Sequence, residues 1–261
     1  MSQHAFSALQ SEIATLRAHH RVGRVMRVEG GLVHISGLSD SARLGDRLRI
    51  SRGGPAPLIG EVLQLAPDHI TMLPEEAPVG VALGQPVQLT DPVEIAPDWS
   101  WLGRVIDPFG QPMDGLPLLR GPKACPLTAA PPPPTQRRTL GERIDTGTAV
   151  FNTLLPIVRG QRLGLFAGSG VGKSNLLGHL GREMKADLVV FALIGERGRE
   201  LREFIENTLG PEGMKRSVIV AATSDRSPLT RRRCAWTAMS IAEHFRDAGQ
   251  HVLFLADSVT R

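Results

Sequence analysis

Two hydrophobic patterns divide the chain. Between residues 22 and 89, apolar residues come in short runs at 22–28, 32–35, 47–50, 59–65, 70–73 and 87–89, several alternating with polar ones. Turn clusters such as Glu29-Gly30-Gly31, Gly45-Asp46, Gly53-Gly54-Pro55 and Ala66-Pro67-Asp68 separate them. Six short strands at this spacing predict a small antiparallel barrel. From about residue 137 the runs become uniformly apolar, at 162–166, 188–194, 218–222 and 252–256. Strands without a polar face are buried on both sides. Helical spacing over 173–184, 200–209 and 228–247 alternates with them, which predicts an α/β core with a parallel sheet. Ahead of both regions, Phe6, Leu9, Ile13 and Leu16 form one stripe of a short amphipathic helix over 5–17, able to dock on the chain's own body or on a partner.

The expected organisation is an N-terminal arm (1–20), a β-barrel domain (21–95), a hairpin and proline-rich linker (96–136), and a nucleotide-binding core (137–261). Pro131-Pro132-Pro133-Pro134 favours an extended polyproline conformation within the linker. No repeat of fixed period is present.

Composition narrows the function only slightly. The net charge of +4 is too small to demand a nucleic-acid partner. Residues 22–95 contain no Phe, Trp or Tyr, so a barrel that stacks bases is disfavoured, and with it a hexameric RNA helicase. Cys125 and Cys234 are the only cysteines and have no metal spacing. The eight histidines show no HExxH or Cys/His motif. The N-terminus lacks the apolar core of a signal peptide, and no apolar run is long enough to span a membrane, so a cytoplasmic protein is expected.

The strongest chemical signal is Ala167-Gly168-Ser169-Gly170-Val171-Gly172-Lys173-Ser174. It fits G-x-x-x-x-G-K-[ST] with Ala in the first position. The glycines let the backbone wrap around phosphates with its N–H groups inward. Lys173 supplies a point charge to the outer phosphates, the Ser174 hydroxyl suits Mg²⁺, and the following helix adds the positive end of its dipole. ATP and Mg²⁺ are therefore the expected ligands. Ligands bind beyond the C-terminal ends of the strands in such sheets. All four apolar runs end in polar residues: this loop, Gly195-Glu196-Arg197, Thr223-Ser224-Asp225 and Asp257-Ser258. Asp257 is placed as a Mg²⁺-associated carboxylate, with a helix cap as the alternative. Glu196 is a candidate general base, with an ion pair to Arg197 or Arg199 as the alternative. Gly178 and Gly181 inside the following helix point to close helix–sheet packing.

Several segments resemble one family. Phe166 to Ser174, Ile194-Gly-Glu-Arg-Gly-Arg-Glu200, Ala222-Thr-Ser-Asp225 and Leu255-Ala-Asp-Ser-Val-Thr-Arg261 are similar to those of flagellum-specific export ATPases. These are relatives of type III secretion ATPases and of the rotary ATP synthase catalytic subunit. Gly103 to Gly115 resembles the family's hairpin before the core. The resemblance implies a RecA-like core behind an N-terminal barrel, and a homo-hexameric ring. It implies Mg-dependent ATP hydrolysis at the cytoplasmic face of a membrane export gate, serving export substrates and their chaperones. It also implies a regulatory partner at the N-terminal arm. It matches Lys173 and Ser174 to the phosphate and Mg²⁺ residues, Glu196 to the catalytic glutamate, Asp257 to the Mg²⁺-associated aspartate, and Arg231 to an arginine sensing the terminal phosphate. Arg226 departs from the pattern at a position usually acidic. Family members continue beyond the counterpart of Arg261, through the adenine pocket, an arginine finger and a helical domain. A chain ending there is expected to bind nucleotide and to hydrolyse it poorly alone. The alternatives are a virulence-type secretion ATPase and a non-catalytic nucleotide-binding assembly module.

Overall fold

The computed structural model describes residues 13, 19–54, 56–90, 94–168 and 171–258. Of the expected N-terminal helix only Ile13 falls among them, helical and exposed. The rest of that expectation lies outside the described residues, as do Ser169 and Gly170.

The described chain forms two compact units. In the first, β1 (Val22–Glu29), β2 (Leu32–Ser36), β3 (Arg47–Ile50), β4 (Leu58–Leu65), β5 (Ile70–Pro74) and β6 (Pro86–Thr90) close into a barrel of order β1-β2-β5-β4-β3-β6. Every neighbouring pair is antiparallel. Val25, Val33, Ile35, Leu48, Ile50, Leu58, Val62, Ile70, Met72 and Val87 fill the interior. Closure leaves no strand edge exposed. All six strands read from the sequence are present.

The second unit holds a parallel sheet of order β10-β8-β9-β7. Its strands are β7 (Val105–Ile106), β8 (Leu188–Glu196), β9 (Ser217–Thr223) and β10 (Val252–Asp257). The helices are α1 (Ala149–Thr153), α2 (Lys173–Glu183), α3 (Gly198–Glu203), α4 (Gly210–Lys215) and α5 (Pro228–Asp247). One face of the sheet, through Val189, Phe191, Leu193, Ile219, Ala221 and Leu255, packs on Leu177 of α2, Leu201 of α3, and Phe204 and Leu209. On α5, Cys234, Ala238, Ile241 and Phe245 are buried, and the Cys234 thiol donates to the β9 carbonyl of Val220 at 3.3 Å.

Three elements differ from expectation. Residues 162–166 are not a strand. Leu163, Leu165 and Phe166 are 55%, 39% and 97% exposed, and no ladder reaches them. A strand forms only where a neighbour pairs with its backbone N–H and C=O groups. Among the described residues β10 is the sheet's edge, and no strand pairs with its free side. The helix expected over 200–209 is α3 followed by a π-helical turn, Phe204–Leu209, leading into α4. Finally, residues 96–136 carry more than a linker. They supply β7, and Trp101, Ile106 and Phe109 are buried. The Arg104 guanidinium grips Asp114 through two bonds of 2.5 and 2.8 Å, and the Thr237 hydroxyl of α5 donates to the Pro108 carbonyl at 2.7 Å. Of the four prolines, Pro133 is extended, with φ −50° and ψ 145°, and Pro134 begins a 3₁₀ turn, Pro134–Gln136.

Candidate functional site

The C-terminal ends of β8 and β10 and the first turn of α2 converge on one cleft of about 210 Å³. Ser174, Asn175, Glu196, Glu200, Glu203, Thr208 and Asp257 supply its polar wall, and Leu193, Leu201 and Phe204 its apolar wall.

The start of α2 is set by Gly172, whose φ of 89° is strained for any residue with a Cβ. The turn there delivers Lys173 and Ser174 onto the first helical turn, where backbone N–H groups have no intrahelical partner. Lys173 is half-buried and has no hydrogen bond or ion pair among the described residues. Ser174 Oγ donates to Asp257 Oδ2 at 3.0 Å, joining positions 83 residues apart. Asp257 is the last residue of β10 and is 9% exposed. A buried carboxylate needs such a hydrogen-bond partner to replace the water it has lost. The peptide between Asp257 and Ser258 is cis.

Glu196 is aimed by a bulge. The β8–β9 register shifts between Ile194 and Glu196, and the residue between them, Gly195, is buried with φ of 74°. An extra residue in the ladder reverses which face the next side chain takes. The Ser224 N–H of the following turn donates to the Glu196 carbonyl at 2.9 Å and fixes the bulge from the far side. Glu200 then caps the start of α3, its carboxylate accepting from the Arg197 N–H at 3.5 Å and from Arg197 Nη1 at 3.3 Å. Two carboxylate-bearing residues of one motif thus line the same cleft as Ser174 and Asp257.

Of the residues singled out in the sequence, Ser174, Glu196 and Asp257 line the cleft, with Lys173 adjacent in α2. Ala167, Gly168 and Val171 are exposed. Arg231, in α5, does not line it; that side chain is half-buried and its Nε has no partner among the described residues. Thr223, Ser224 and Asp225 do not line it either. Among the described residues the first of the four expected strands is missing, so β8 and β10 are the strands whose ends reach the cleft. Sequence reading passed over Glu203, Phe204 and Thr208. Regular helical spacing does not single them out, because Phe204–Leu209 form a π turn. Gly181 packs as expected, because a Cβ there would lie 2.5 Å from Phe191 Cζ of the sheet. Gly178 instead faces Thr208 of the π turn.

Residues 147–261 match the ATP synthase alpha/beta family, nucleotide-binding domain. A glycine-rich loop ahead of α2, a strand-end aspartate bonded to the α2 serine, and a parallel sheet are the parts of a P-loop nucleotide-binding domain, in keeping with that match. Over most of its length the chain is similar to flagellar and type III secretion ATPases. It is 46% identical over 241 residues to the flagellum-specific ATP synthase of Caulobacter vibrioides, covering 92% of this chain and 54% of that protein. With the flagellum-specific ATP synthase of Salmonella typhimurium it shares 42% identity, over 98% of this chain and 58% of the relative. The solved structure of the assembled ATPase EscN in complex with its central stalk EscO, from the type III secretion system of enteropathogenic E. coli, superposes with a TM-score of 0.83 at 38% identity. That match covers 91% of this chain and 58% of the EscN chain. The chain thus spans somewhat over half the length of these relatives.

Proposed function

We propose that this chain carries the nucleotide-binding part of an ATPase that energises type III protein export, of the flagellar kind. The observation that carries the proposal is the Ser174–Asp257 hydrogen bond at the mouth of a cleft also lined by Glu196. The hydroxyl and carboxylate oxygens of Ser174 and Asp257 are the hard donors that Mg²⁺ prefers, so these residues fit the ion. When bound, Mg²⁺ would offset negative charge on the outer phosphates.

The chain's own groups supply the rest. The loop from Ala167 through Gly168, Ser169, Gly170, Val171 and Gly172 turns its N–H groups on the phosphates, with the α2 dipole behind it. Lys173 pairs with the outer phosphates. Glu196 accepts a proton from the attacking water as that oxygen bonds to the terminal phosphorus and the bridging P–O bond breaks, giving ADP and phosphate. Arg231 serves as the sensor of the terminal phosphate after a rearrangement that brings its side chain to the cleft. Relatives described as assembled, and as bound to a central stalk, favour a homo-hexameric ring with a regulatory partner at the N-terminal arm. The export gate, its substrates and chaperones, and a cytoplasmic site against the membrane complete the proposal. No helix among the described residues is long and apolar enough to cross a membrane.

The unpaired 162–166 segment bears on rate. Among the described residues no ladder holds this segment from behind, so less of the alignment that turnover needs is built in ahead of the phosphate loop. This chain alone is therefore expected to bind MgATP and to turn it over slowly. Phosphate release by wild type, Lys173→Ala and Glu196→Gln tests this. Binding lost in Lys173→Ala supports the loop assignment. Full activity in Glu196→Gln contradicts the general-base role.

A further inference from the structure

We infer that His34 and His69 form a two-imidazole site for a divalent transition cation of the Zn²⁺ or Cu²⁺ type on the outer wall of the barrel. The two histidines lie 35 positions apart in sequence, yet the β2–β5 register sets His34 opposite Thr71, and His69 is two residues from Thr71 on the same face. Their ring centroids are 5.3 Å apart. Imidazoles bound to one ion each place a centroid about 3.2 Å from it, from a metal–nitrogen bond of about 2.0–2.1 Å plus about 1.15 Å to the ring centre. Centroids 5.3 Å apart then subtend about 110° at a shared ion, which is the tetrahedral angle.

The surroundings of each ring carry the inference further. His69 Nδ1 lies 2.8 Å from the Asp68 carboxylate, and His34 Nδ1 lies 3.3 Å from the Thr71 hydroxyl. Metal-binding histidines characteristically donate one ring N–H to a carboxylate or other oxygen, which fixes the tautomer and leaves the other nitrogen's lone pair for the ion. In both rings Nδ1 faces an oxygen, and the Nδ1–H tautomer leaves Nε2, which has no partner among the described residues, for the ion. No group of three or more His, Cys, Asp or Glu is placed to hold a metal among the described residues, so water completes the coordination. Imidazole nitrogens select Zn²⁺ and Cu²⁺ over Mg²⁺, so the site is chemically separate from the nucleotide cleft. A bound ion would pin the β4–β5 turn to β2.

Zn²⁺ is titrated calorimetrically into the full chain with millimolar Mg²⁺ present, for wild type, His34→Ala, His69→Ala and Asp68→Asn. One ion is expected to bind in the micromolar range. Either His→Ala change is expected to weaken it at least tenfold, and Asp68→Asn by a smaller factor. Unchanged affinity in both His variants, or no binding below millimolar Zn²⁺, overturns the site. Cu²⁺ electron paramagnetic resonance on the wild-type chain gives a reading independent of variant folding. Hyperfine coupling to two imidazole nitrogens is expected, and coupling to one or none overturns the site.

Discussion

Gly181→Ala sets two opposing effects of known size against each other. Gly181 lies inside α2, where replacing Gly by Ala ordinarily adds about 1 kcal/mol of helix stability. The new methyl would lie 2.5 Å from Phe191 Cζ, 3.2 Å from its Cε2 and 3.4 Å from Leu209 Cδ1. Carbon atoms prefer about 3.5–4.0 Å, so the closest contact is more than 1 Å too short. The neighbours have little room to yield. Phe191 is fully buried on the central strand β8, and its ring meets that of Phe204 edge-on at 5.3 Å. Overpacking costs about 1–3 kcal/mol, and a contact this short lies in the upper part of that range, so after the helix gain of about 1 kcal/mol a net loss of roughly 1–2 kcal/mol is expected. For a chain of this size that corresponds to a fall in Tm of about 2–8 °C. The backbone shift that relieves the clash moves α2, and with it Ser174, so MgATP binding is expected to weaken as well. Gly198→Ala is the control, since no atom lies within 4 Å of its added methyl and its φ is not positive; it is expected to be neutral or to gain up to about 1 kcal/mol. Urea unfolding followed by circular dichroism reads both. Equal or greater stability for Gly181→Ala would refute the packing argument.

Other residues make separate predictions. Gly195→Ala forces a Cβ onto φ 74° and disturbs the bulge that aims Glu196; it is expected to cost about 1–3 kcal/mol and to lower phosphate release further than MgATP binding, measured side by side. The Arg104 guanidinium holds the Asp114 carboxyl down at about 2, so the pair contributes its stability in full above pH 4 and loses it as the pH falls toward 2. That contribution is on the order of 1 kcal/mol, because the pair is partly screened by solvent, and an acid titration of stability in Asp114→Asn is expected to lack it. Burial pushes the Cys234 thiol up to about 12, whereas Cys125 is half-buried beside His244. A thiol reagent is expected to modify Cys125 in the folded chain and Cys234 only on unfolding; two fast thiols would contradict the packing of α5.

The barrel was legible because a strand with one buried face writes its own period into the sequence, as in Val33 and Ile35 of β2. Strands β8, β9 and β10 were legible from length and uniform apolarity, and their polar ends followed from the direction of a parallel sheet. The same rule failed at 162–166. Apolarity reports that a segment needs burial, while pairing depends on a neighbour that the segment's own residues do not specify. Strand β7 was hidden for a related reason. Two residues, Val105 and Ile106, are too short a run to carry a period, and only their pairing with Ile219 and Val220 defines them as a strand. Lys173, Ser174 and Asp257 stood out because phosphate and cation chemistry leave few residue choices. Glu203 and Thr208 did not, because acidic and hydroxyl residues on a helix usually face solvent, and the π turn that sets Thr208 against Gly178 has no sequence signature. The His34–His69 pair was invisible for the plainest reason, since only barrel register brings the two together.

The measurement that bears most directly on the central proposal is MgATP affinity of the full chain, compared with Lys173→Ala and Asp257→Asn, with and without Mg²⁺. Wild type is expected to bind, Lys173→Ala to lose at least tenfold in both conditions, and Asp257→Asn to lose affinity only when Mg²⁺ is present. Equal affinity across all three proteins would contradict the assignment of this cleft as the nucleotide site.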